Sequence, residues 1–79
     1  MRPTRLFKND RIELVRDDDS GAHFLTVRCG EPVAVERSIR LTGEEMCLIA
    51  SDEIAGMEKI AADISHEPER FKDRFVSVA

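Results

Sequence analysis

His23, His66, Cys29 and Cys47 are the side chains best suited to hold a metal ion or to pair a nucleophile with a base. Their spacing favours neither chemistry. Structural zinc sites take ligands in close pairs such as C-x2-C or H-x3-H, and no such pair exists in these 79 residues. His23 and Cys29 would stand about 20 Å apart along a strand, too far to share an ion. Cys47 and His66 make a dyad only on paper, because nothing near them signals donors for an oxyanion. Gly21, Gly30, Gly43 and Gly56 are scattered, so neither a phosphate loop nor a nucleophile elbow is present. Asp17, Asp18 and Asp19 lack the alternation and closing Glu of an EF-hand loop and read as a solvated turn. Catalysis, metal and cofactor are therefore not expected, and the cysteines read as small, reduced core residues.

Charge carries more information. The chain has 12 basic and 16 acidic residues, net −4, unevenly spread. Residues 1–41 sum to +1, residues 42–64 to −5 and the remainder to zero. The middle segment sets Glu44, Glu45, Asp52, Glu53, Glu58 and Asp63 against Lys59 alone. On one helical wheel Glu45, Asp52 and Asp63 fall on one flank and Glu44 and Glu58 on the other, with Leu48 off the buried stripe among them. A negative strip with an apolar anchor fits a basic groove on a partner. The expectation is a non-enzymatic protein-binding module, an acidic inhibitor or adaptor that mimics nucleic acid and covers a basic surface of a larger protein or nucleoprotein complex. Its partner-binding residues would be Glu44, Glu45, Leu48, Asp52, Glu58 and Asp63. In size, charge and lack of motifs the chain resembles bacteriophage host-takeover and anti-CRISPR proteins. Charge reversal at Glu45, Asp52 and Glu58 should then abolish partner binding and spare the fold.

A second reading uses the other half of the chain. Strand alternation points Phe24, Arg28 and Arg40 away from the helical segment, and an aromatic among arginines on an open sheet is a minimal platform for a stacked base and a phosphate. A meander followed through Ile39-Arg40-Leu41-Thr42-Gly43-Glu44-Glu45 by an amphipathic helix resembles the single-stranded-DNA-binding transcriptional coactivators. That resemblance covers element order and one capped junction, and it implies binding of single-stranded nucleic acid on the sheet. Glu13 and Glu36 on the same face, the single aromatic and the net acidity oppose it.

Hydrophobic period indicates the elements that hold these residues. From Arg11 to Leu41 it is close to two: Ile12 and Leu14, then Leu25, Val27 and Cys29, then Val33 and Val35 alternate with their neighbours. Three antiparallel strands result, separated by turn chemistry at Asp17-Asp18-Asp19-Ser20-Gly21 and Gly30-Glu31-Pro32. Arg37 interrupts the odd-numbered face of the third strand and calls for a bulge or a snorkelling edge position. Thr42-Gly43-Glu44-Glu45 is a capping box that opens a helix. Met46, Ala50, Ile54, Met57, Ala61 and Ile64 form its apolar stripe, with Ile49 and Ile60 on the margin and a second N-cap offered by Ser51-Asp52. Beyond Pro68, Phe71 and Phe75 could dock a short helix, or Phe75 to Val78 add a strand.

The expected fold is α+β in a single domain, residues 1–79: a three-stranded antiparallel meander, one long or broken amphipathic helix on one face, and a short C-terminal element. The longest apolar run, Cys47 to Ala50, falls far short of the roughly 20 residues of a membrane span, so a soluble cytoplasmic protein is expected. The thin core and an open sheet edge leave room for a homodimer.

Overall fold

The computed structural model describes residues 2–29 and 35–76, Cys29 by its backbone alone. The Gly30-Glu31-Pro32 turn, Val33 and Val78 lie outside the described residues. Five strands, β1 (Pro3–Lys8), β2 (Ile12–Asp17), β3 (His23–Cys29), β4 (Val35–Arg40) and β5 (Phe75–Val76), form one antiparallel sheet in sequence order. Between β4 and β5 the chain makes α1 (Gly43–Ser51), α2 (Glu53–His66) and a 3-10 helix, Pro68–Arg74. The expected three strands and one long or broken helix are thus corrected to five strands and three separate helices. No described helix is long and apolar enough to cross a membrane.

Each correction has a local cause. In β1 the pairing steps from Arg5 opposite Val15 to Phe7 opposite Leu14, which leaves Leu6 as an extra residue. Such a bulge breaks the period of two, so the strand leaves no alternation to read. β5 pairs only Val76 with Ser38 and Phe75 with Ile39, too short for any period. Asp52 separates the helices with an extended backbone, φ −155° and ψ 104°, while its N–H still donates to the Leu48 carbonyl at 3.2 Å. Its carboxylate then accepts from the Ala55 N–H at 3.2 Å and starts α2 afresh.

The restart changes which side chains face inward. Ile49, Met57, Ile60, Ala61 and Ile64 are buried, whereas Ala50 is exposed and Ile54 is 46% exposed. A single wheel drawn through the break puts Ile54 in the apolar stripe and Ile49 and Ile60 on its margin. Leu25, Val27 and Ile39 from the sheet are fully enclosed against Met57 and Ile64, with Ile12, Leu14, Leu41 and Phe71 around them. Each such side chain contributes on the order of 1.5 to 3 kcal/mol of burial before conformational entropy is counted.

Arg37 needs no bulge. Pairing between β3 and β4 runs unbroken from Phe24 opposite Arg40 to Cys29 opposite Val35. Arg37 faces the core side, half-buried, with its guanidinium 5.1 Å from the centre of the Phe75 ring.

The β2–β3 turn ties down the start of β1. Gly21, at φ 77°, takes the left-handed conformation that glycine adopts freely. The Asp17 carboxylate accepts from the Ser20 hydroxyl at 2.7 Å, the Asp19 N–H at 3.1 Å and the Arg2 N–H at 3.2 Å. The Ser20 hydroxyl first, then the Arg2 and Asp19 amides, hold this carboxyl below the usual carboxylate range. A lowered folded-state pKa means that the ties are intact at neutral pH and are lost as pH falls through that lowered value. Asp17→Ala should therefore accelerate amide hydrogen exchange at Arg2 and Asp19 at pH 7. Acidifying the wild type through that value should likewise lower the protection of both amides relative to their intrinsic exchange rate at the same pH, and protection that ignores both changes would refute the account.

Candidate nucleic-acid interface

The helices occupy one face of the sheet. On the other, period-two alternation lays out Arg5, Lys8, Glu13, Val15, Phe24, Thr26, Arg28, Glu36, Ser38 and Arg40. Phe24 stands between Val15 on β2 and Arg40 on β4, half-buried with a guanidinium on the neighbouring strand. The hydroxyls of Thr26 and Ser38 meet at 2.7 Å across the middle. Arg28 and Arg40 are exposed, as is Lys8.

The hairpin between β1 and β2 adds a third cation at one end. The Asn9 side-chain oxygen accepts from the N–H groups of Arg11 and Ile12, both at 2.8 Å, and the Arg28 N–H donates to the Arg11 carbonyl at 2.9 Å. These bonds extend the β2–β3 ladder by one residue and set Arg11 beside Arg28. Lys8, Arg11 and Arg28, with Asn9, Ile12, Glu13, Thr26 and Glu36, line a shallow cleft of about 50 Å³, three cations against two acids. Among the described residues none of Lys8, Arg11, Arg28 and Arg40 has an ion-pair partner, while Arg5 occupies Glu13 at 2.7 Å. The face is therefore net positive although the chain is net negative.

The acids read as a partner-binding strip are divided between two helices and several tasks. Glu45 completes the capping box: its N–H donates to the Thr42 hydroxyl at 3.2 Å and its carboxylate accepts from the Thr42 N–H at 2.8 Å. The same carboxylate takes both terminal nitrogens of Arg74, one of them at 3.1 Å. Burial, the largest single influence, pushes its pKa up. The Arg74 hydrogen bonds, the Thr42 N–H and the Arg74 charge together outweigh it and hold Glu45 below the usual carboxylate range. Asp52 caps α2, and Asp63 meets Lys59 at 3.4 Å one turn away. Glu44, Glu53 and Glu58 are exposed and, among the described residues, without an ion pair. Leu48 is 42% exposed. Charge reversal at Glu45 or Asp52 would remove a helix cap together with a surface charge, so those substitutions do not spare the fold.

Cys47 is exposed instead of lying in the core, and His66 is exposed also. Among the described residues no group of three or more His, Cys, Asp or Glu is placed to hold a metal. Strand alternation alone locates Phe24, Arg28 and Arg40 on one face. Arg11, two residues before Glu13, shares that face by the same alternation, whereas Lys8 escapes it on a bulged strand, brought to Arg11 by a turn whose signal is Asn9-Asp10, the kind of pair that starts a tight turn. No protein-family model, curated protein or solved structure matches the chain.

Proposed function

We propose that the protein is a non-enzymatic binding module whose open sheet face takes single-stranded nucleic acid, with Phe24 stacking a base and Arg28 and Arg40 contacting phosphates. The observation that carries this reading is a cationic rim, without ion pairs among the described residues, around an aromatic on a sheet face that no described helix covers. The net charge of −4 does not oppose it locally, because the acidic excess belongs to α1 and α2, on the opposite side of the sheet. A strand with its bases free to splay suits a flat face better than a duplex does.

Anisotropy of a labelled oligothymidylate titrated with protein provides the test. Micromolar affinity that falls with salt is expected. Phe24→Ala should weaken it by about 5- to 100-fold, the range for loss of one base–aromatic stack, while Phe24→Leu recovers little. A flat titration at low salt would sink the proposal.

A second reading keeps the acidic helices as the contact surface for a larger protein or nucleoprotein complex with a basic surface. It is favoured by exposed Leu48 and Ile54 together with the free carboxylates of Glu44 and Glu58. Glu44→Lys with Glu58→Lys tests it without touching a cap, and loss of a co-purifying basic partner from that variant is the expected result. A homodimer belongs to this reading as well, and light scattering reports it directly.

A further inference from the structure

We infer that the cleft formed by Lys8, Arg11 and Arg28 is a phosphate subsite, separate from the stacking site at Phe24, and that the two together require a ligand longer than one nucleotide. This inference rests on the nucleic-acid reading above and specifies what the ligand must contain.

The cleft holds about 50 Å³. That is several times the room one water needs and far below the roughly 300 Å³ of a pocket for a drug-sized molecule. Its room suits a small anionic group better than an enclosed nucleoside. Its chemistry agrees with its size. Three cations from β1, the β1–β2 hairpin and β3 converge there, and the Asn9 side-chain oxygen is committed to the Arg11 and Ile12 amides. A planar guanidinium suits a phosphate with two parallel hydrogen bonds, and Arg11 and Arg28 offer two of them side by side.

The separation follows from strand geometry. Phe24 and Arg28 are four residues apart on β3 and share a face, which places them about 13 Å apart at the usual rise. A base on Phe24 does not carry its own phosphate that far, so the group in the cleft belongs to another nucleotide of the same strand. Arg40, directly opposite Phe24, serves the phosphate next to the stacked base. Two acids also line the cleft and oppose occupation by an anion: Glu13 is engaged by Arg5 at 2.7 Å, whereas Glu36, directly opposite Arg28, has no ion pair among the described residues. Removing the Glu36 charge should therefore strengthen binding.

The experiment titrates labelled oligothymidylates of roughly two to eight nucleotides and thymidine monophosphate at several salt concentrations. Affinity is expected to be negligible for the mononucleotide, to rise steeply over the shortest strands and then to level off. Arg11→Gln with Arg28→Gln should weaken a strand on the plateau by about tenfold and reduce its salt slope by roughly one, since two phosphate contacts are removed. Glu36→Gln should tighten it by about two- to fivefold, an outcome that damage to the fold does not produce. If oligonucleotides bind and Phe24→Ala weakens them while the cleft variants change neither affinity nor slope, the subsite is refuted and the nucleic-acid reading survives. Absence of binding at every length overturns both.

Discussion

Replacing Gly56 by alanine is expected to lower the melting temperature by about 10 to 20 °C, equivalent to roughly 2 to 3 kcal/mol in a domain of this size. Helix propensity alone points the other way, because alanine is favoured over glycine within a helix by about 1 kcal/mol. Packing decides the sign. A Cβ at Gly56 would lie 2.6 Å from the Leu48 carbonyl oxygen and 2.8 Å from the backbone N and Cα of Ile49. Those atoms belong to the backbone of α1, so no side-chain rotation relieves the overlap, and the helices must separate. Separation uncovers Ile49 and Met57, which are 7% and 0% exposed. Circular dichroism melts of wild type and Gly56→Ala check the prediction. A variant as stable as wild type would mean that α1 and α2 do not approach so closely. Gly43→Ala is the control, since nothing lies within 4 Å of a Cβ there.

Removing the Arg74 side chain should produce the second large effect. Its guanidinium gives Glu45 both terminal nitrogens, donates to the Arg40 carbonyl at 2.9 Å and lies 5.4 Å from the centre of the Phe71 ring. One residue thereby joins the end of β4, the first turn of α1 and the 3-10 helix. Hydrogen bonds to charged groups contribute about 1.5 to 3 kcal/mol, more than an exposed surface pair, and the Glu45 side chain is only 14% exposed. Arg74→Ala should cost about 2 kcal/mol, with Arg74→Lys recovering part of it because a lysine keeps the charge but not the fork. The acid response follows from the same contact. Glu45 has a lowered pKa in the folded state, so its contribution is present above the unfolded value near 4.3 and is lost as pH falls through the folded value. Denaturation by urea at pH 7 and pH 3 should show the wild type losing more stability than Arg74→Ala over that range. Equal losses would show that the pair contributes nothing.

The legible parts of this fold are those in which local chemistry and tertiary role coincide. β3 and the first half of β2 present a readable alternation because Ile12, Leu14, Leu25 and Val27 face the core while Glu13, Thr26 and Arg28 face away from it; Val15, buried on the far face, ends it in β2. The Thr42–Glu45 box announces the start of α1 because both of its hydrogen bonds are made within four residues. β1 was hidden for the opposite reason. Its extra residue at Leu6 shifts the phase, and its place in the sheet depends on hydrogen bonds that Arg2 and Thr4 make to Asp17 and Asp18. The angular order of the acids failed for a related cause. A single wheel assumes an uninterrupted helix, and Asp52 starts a second one, so one wheel does not give the angular relation of residues on either side. On the sheet, Phe24, Arg28 and Arg40 were readable from parity alone. The cleft was not, because its lysine is supplied by a bulged strand, and the hairpin that sets Lys8 beside Arg11 leaves no alternation to read.

The order β1-β2-β3-β4-β5 bears on how the chain reaches its native state. Every strand before the helices pairs with the one just made, so loop closure during assembly is cheap and the contacts are mostly local, a topology associated with fast folding. During vectorial synthesis the first two hairpins can form while α2 is still unmade, but with the apolar side of the sheet uncovered. Phe71, Arg74 and Phe75, which follow α2 in the chain, are those that fasten the helices to β4. Truncation before Phe71 should therefore yield a chain that collapses readily yet aggregates, the behaviour of a sheet that has lost its lid.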